Sequence, residues 1–148
     1  MTDHALRALD RLGDSEGLEA HALYLKGEAL RAAERHHEAL IELHRAADAT
    51  PDDIHIWISL GWCYKRTNNI ELAIHSLKEA LAIEPGEALL HYNLACYWCL
   101  AGDKDQTLDF LSTALEIDPN YRDLVDGEAD FDPIREDPDF LALTSVIV

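Results

Sequence analysis

Trp57-Ile58-Ser59-Leu60-Gly61-Trp62-Cys63-Tyr64, followed by Ala73, Leu77, Ala80 and Pro85, decides the fold, because its spacing recurs 34 residues before and after it. Gly27, Gly61 and Ala95 are 34 apart, as are Ala39, Ala73 and Thr107, and Leu43, Leu77 and Leu111. Ala46, Ala80 and Ala114 keep the same step, and so do Pro51, Pro85 and Pro119. Five columns in one register over three copies mark an internal repeat, and within each copy the apolar residues recur at helical spacing.

Each column has a steric role in a pair of helices. Gly61 falls mid-helix, where glycine costs on the order of 1 kcal/mol against alanine, so a neighbour must require the missing side chain. The sequence reading assigns that neighbour to Ala73 and Ala80, small residues that let a second helix approach. Trp57, Leu60, Tyr64 and Leu77 fill the space between helices and against the next pair. Pro85 stops the second helix, and Asn68-Asn69 turns the chain between the two. Helices are expected over 20–33, 36–49, 54–67, 70–83, 88–101 and 104–117, with no strand.

These columns resemble the tetratricopeptide repeat family, whose helix–turn–helix unit carries Trp, Leu-Gly, Tyr, Ala and Pro at such offsets. The resemblance implies an all-α fold, a right-handed superhelical solenoid of antiparallel helix pairs. Repeats are read at 20–53, 54–87 and 88–121, between an N-terminal half-repeat cap in 1–19 and a C-terminal cap in 122–148, all in one domain. Lys26 in place of a leucine, His91 in place of the tryptophan and Thr107 in place of an alanine are departures expected to weaken local packing.

Ala5, Leu9 and Leu12 continue the frame backwards and predict a capping helix over Asp3–Leu12. Past the last repeat, Asp132-Pro133 and Asp137-Pro138 place an acceptor side chain before a proline, the arrangement that starts helices. A helix over Asn120–Asp126, a turn at Pro133–Arg135 and a last helix over Pro138–Ser145 follow. Phe131, Ile134, Phe140, Leu141 and Leu143 would cover the end of repeat three. The stretch from Asp130 to Leu143 looks like the endings of some bacterial members of the family, and its role is read as a solubilising cap.

The chain has 148 residues and 48% hydrophobic residues, enough for a core. Twenty-nine acidic against twelve basic residues give a formal charge of −17, which repels phosphate backbones and anionic membranes. Nucleic acid and membrane are therefore excluded as expected partners. The acidity serves solubility first and the attraction of a cationic segment second. Met1-Thr2-Asp3-His4 opens no apolar leader, so a cytoplasmic protein with reduced thiols is expected from its three cysteines.

The resemblance also implies that the first helix of each pair lines a concave groove. The helix phase assigns to it Tyr24 and Glu28 from repeat one, Ile58, Ser59, Trp62, Lys65 and Arg66 from repeat two, and Leu89, Tyr92, Asn93 and Cys96 from repeat three. A subgroup of the family clamps chaperone tails by their terminal carboxylate. At the matching places stand Tyr24, Glu28, Ser59, Leu89 and Asn93, of which one fits, so the clamp is not expected. The wall suits a peptide or helix held by aromatic anchors, Trp62 lying between Tyr24 and Tyr92, with Asn93 bonding its backbone and Lys65-Arg66 meeting an acidic group. The other reading keeps Tyr24, Trp62 and Tyr92 covered by neighbouring repeats or by the chain's own C-terminal tail.

No nucleophile, base and orienter grouping and no Gly-rich phosphate loop are present, so an enzyme is not expected. Cys96 and Cys99 stand one helical turn apart, but a redox pair sits where a helix begins, and zinc would need two further ligands on that face. Neither metal nor cofactor is expected, and His36, His37 and His44 are read as solvated. The leading function is a non-catalytic adaptor or assembly factor that binds a protein segment, with a homo-oligomer left open. A dedicated chaperone of the type III secretion class, which size and charge fit but the C-terminal tail does not, and a regulatory subunit of an enzyme are the alternatives.

Overall fold

The computed structural model describes residues 19–145, so the capping helix expected over Asp3–Leu12 lies outside the described residues. Among those described the protein is all-α, with no strand. Six helices form three consecutive pairs: α1 (Glu19–Ala32) with α2 (His36–Ala49), α3 (Ile54–Arg66) with α4 (Ile70–Ile83), and α5 (Ala88–Leu100) with α6 (Lys104–Ile117). Their ends fall within one residue of the expected ones, because each boundary is set by local chemistry repeated every 34 residues.

The turns show that chemistry. Glu34, Asn68 and Gly102 have φ of 61°, 63° and 84°, the left-handed conformation that ends a helix and lets the chain double back. Each is followed by an amide that reaches five residues back: Arg35 to Leu30, Asn69 to Tyr64 and Asp103 to Trp98. This 34-residue column is chemically heterogeneous, which hides it: glycine suits the conformation, asparagine tolerates it, and glutamate strains. Where α3 and α6 begin, Asp53 and Asp103 accept the amides of His55 and Gln106.

The chain divides into two compact units, Met1–Ile83 and Glu84–Val148. In the first, α1 packs on α2, α2 on α3 and α3 on α4 around Leu30, Leu43, Ile56, Leu60 and Cys63. The glycine column has a different cause from the expected one in repeat one. A Cβ on Gly27 would lie 2.6 Å from Leu43 Cδ2, so the glycine makes room for a fully buried leucine rather than meeting an alanine. Lys26, at the leucine place, is kept by an ion pair with Glu42 of α2 at 3.5 Å.

In the second unit, α5 packs on α6 and Leu90, Leu94 and Leu111 are fully buried. The two departures in this repeat keep their hydrogen bonds. His91 Nε2 donates to the carbonyl of Pro85 at 2.7 Å, as Trp57 Nε1 donates to Pro51 at 2.9 Å in the preceding repeat. Thr107, fully buried, turns its hydroxyl to the carbonyl of Asp103 at 2.7 Å and leaves no unmet donor in the core.

After α6 come a 3-10 turn at Pro119–Tyr121, α7 (Arg122–Val125), a second 3-10 turn at Ala129–Ile134 and α8 (Pro138–Thr144). The second turn starts earlier than expected because the Glu128 side chain caps it, accepting the Asp130 amide. Asp137 starts α8 by accepting the amides of Asp139 and Phe140. The segment 129–134 packs on α5, and α8 packs on α6. Phe131 and Phe140 are buried with ring centroids 5.6 Å apart, whereas Leu141, expected to join them, is exposed.

Candidate functional site

In the first unit the expected groove residues lie on α1 and α3, and Trp62 is their centre. Its ring is half-buried on the core beneath it. The guanidinium of Arg31 lies 5.0 Å from the ring centroid and that of Arg66 lies 5.1 Å from it, both at cation–π distance. His36 stands edge-on to the same ring at 5.3 Å, so it is not the solvated histidine expected. Arg31 and His36 were not among the expected site residues. The phase of α1 could have shown Arg31, one turn beyond Glu28, but only the fold brings the start of α2 to Trp62.

The two arginines differ in what holds them. Arg31 donates to one oxygen of Glu28 through Nε at 3.2 Å and Nη2 at 2.8 Å, a two-pronged bond that aims its planar head. Arg66 is exposed and makes no ion pair among the described residues. Tyr24 is half-buried, and burial, then the charge of Glu28, push its hydroxyl above the ordinary range, against the opposing hydrogen bond with Ser59. Ile58 and Lys65 are half-buried, while Ser59 is buried, a correction to its place on an open wall.

The second unit corrects the expected wall further. Tyr92 and Cys96 are buried. Tyr121 lies over Tyr92 at 5.0 Å between centroids and Phe131 meets it edge-on at 5.9 Å, so the C-terminal segment covers this face. Of the two readings of Tyr92, the self-covered one describes the structure. Leu89 and Asn93 remain half-buried.

Burial also decides the chemistry of the thiols. It pushes the Cys63 thiol up to about 11 and raises that of Cys99, which leaves both protonated and poorly nucleophilic near neutral pH. Cys96 is brought together with two residues that spacing alone does not connect to it. Its sulfur and one oxygen each of Glu128 and Asp130 lie within 4.8 Å of one another. No helix among the described residues is long and apolar enough to cross a membrane.

Comparison with known proteins agrees with the repeat geometry. Tetratricopeptide repeat profiles match residues 2–54 and 54–87. No curated protein matches the chain. Among solved structures, a crystal structure of MamA superposes with a TM-score of 0.82 at 15% identity, covering 96% of this chain and 84% of that one. MamA from Desulfovibrio magneticus RS-1, from residue 41 to its end, gives 0.72 at 21% identity, covering 79% of this chain and 66% of that one. At such identities the likeness is one of fold. The helix pairs, their 34-residue register and the matched profiles agree: the chain belongs to the tetratricopeptide repeat family, whose helix pairs serve as protein-interaction scaffolds.

Proposed function

We propose that this protein is a non-catalytic adaptor or assembly factor that holds a peptide or helix of a partner protein on the first-helix face of α1 and α3, with Trp62 as anchor. One observation carries the reading: a half-exposed tryptophan flanked by two guanidinium groups, one of them fixed by Glu28 and the other without an ion pair among the described residues. Tryptophan and arginine dominate the energetics of protein interfaces because they offer large area, low rotamer loss and directional donors. An apolar side chain of the segment lies on Trp62 and Tyr24, and an acidic group meets Arg66. In a chain of charge −17 such a cationic spot gives orientation, since the surrounding acids repel the same group elsewhere.

The test is selection of displayed helical and extended segments on the purified protein, followed by anisotropy titration of the selected peptides. Trp62→Ala weakens binding by about thirtyfold or more, the equivalent of roughly 2 kcal/mol. Arg66→Ala weakens acidic segments only, and His75→Ala, on the exposed side of α4, changes nothing. Equal affinities for wild type and Trp62→Ala defeat the proposal.

A further inference from the structure

We propose that Cys96, Glu128 and Asp130 form a site for one divalent cation of the zinc type, built where the C-terminal segment crosses α5. Along the chain no metal-ligating set stands around Cys96, and folding brings two carboxylates to its sulfur. Glu128 and Asp130 flank the start of the 129–134 turn, and this turn packs on α5. The three donor atoms lie within 4.8 Å of one another. Donors around zinc sit roughly 3.5 Å apart, given metal–sulfur and metal–oxygen bonds of about 2.3 and 2.1 Å, so closure by about 1 Å gives three protein donors and leaves the fourth position to water.

The surroundings favour a cation. Cys96 and Asp130 are both more than nine-tenths buried, so a cation held there is shielded from bulk water. The second observation is Tyr92. Its ring is buried, its hydroxyl has no hydrogen-bond partner among the described residues, and the acidic groups acting on that hydroxyl are Cys96, Glu128 and Asp130. A phenol so placed lacks the acceptor that a metal-bound water or a ligating carboxylate supplies. One thiolate with two carboxylates is a borderline-soft donor set that suits zinc and its cobalt substitute rather than magnesium or calcium. Binding expels the Cys96 proton, and the cation takes its place as the positive partner of the sulfur.

The experiment titrates the full, metal-stripped protein with cobalt(II), then displaces it with zinc. One equivalent of cobalt should give the thiolate-to-cobalt charge-transfer band, zinc should abolish it, and zinc should raise the melting temperature. Cys96→Ser loses the band. Glu128→Gln retains an amide oxygen for the Asp130 amide, keeps the helical circular dichroism and weakens zinc at least tenfold. Absence of the band in folded wild type, its persistence in Cys96→Ser, or unchanged zinc affinity in Glu128→Gln overturns the site.

Discussion

Trp62 on α3 and Tyr92 on α5 are both large aromatic residues on the first helix of a pair, and they end in opposite states. Trp62 keeps part of its ring in solvent beneath two guanidinium groups, whereas Tyr92 is buried under Tyr121 and Phe131. The helix pairs that carry them are built alike, down to the left-handed turn residue and the side-chain bond to the preceding proline carbonyl. What differs is the chain that follows. Repeat three is succeeded by an aperiodic segment that folds back onto α5, and its aromatic residues act there as a built-in occupant. A repeat therefore specifies a face, and sequence outside the repeat specifies whether that face is open.

Phe131→Ala is the strongest way to break this comparison. Deleting a fully buried phenylalanine costs about 3–5 kcal/mol, and urea melts should show it, together with freer Tyr92. Trp62→Ala should cost clearly less in the same melts; equal losses would mean that the open face is as much part of the core as the covered one. Gly27→Ala comes next. Its methyl meets Leu43 at 2.6 Å, and overpacking of this kind costs about 1–3 kcal/mol. A wild-type urea midpoint would show that α1 and α2 can move apart freely.

The turn column supplies smaller effects of opposite sign. Glu34→Gly relieves a left-handed non-glycine residue and should stabilise by about 1 kcal/mol, while Gly102→Ala, open in space but at φ +84°, should lose a similar amount. The same sign for both in thermal melts would refute the shared turn geometry.

The smallest effect concerns the covering segment. Lys104 of α6 bonds Asp137 at 2.7 Å and Asp139 at 3.0 Å. The lysine, aided by the amides of Phe140 and Asp139, holds the Asp137 carboxyl below the usual carboxylate range. A folded value below the unfolded one means that the contribution is complete above about pH 4 and fades as pH falls further. The melting difference between wild type and Asp137→Asn should therefore shrink below about pH 4; a difference that grows on acidification would reverse the assignment.

The helix pairs were legible because their causes are local and repeated. Pro51, Pro85 and Pro119, the Gly27–Gly61–Ala95 column and the apolar phase locate all six helices. Trp62 was legible for the same reason. Arg31 was within reach of the helix phase, and His36 was not, since its meeting with Trp62 depends on how α2 crosses α3. Glu34 was hidden because glutamate carries no turn signal, although it stands in register with Asn68 and Gly102.

The sequence by itself determined the period, the helix ends and the chemical character of the first-helix face, since side-chain size, proline and capping carboxylates act within a few residues of where they stand. Tertiary structure alone decided which part of that face is closed. Phe131 reaches Tyr92 across 38 intervening positions, and Glu128 and Asp130 reach Cys96 across a similar stretch, with no periodic column to announce either meeting. Burial of the aromatic pair drives that return of the chain, and the carboxylates are carried with it to the Cys96 thiol.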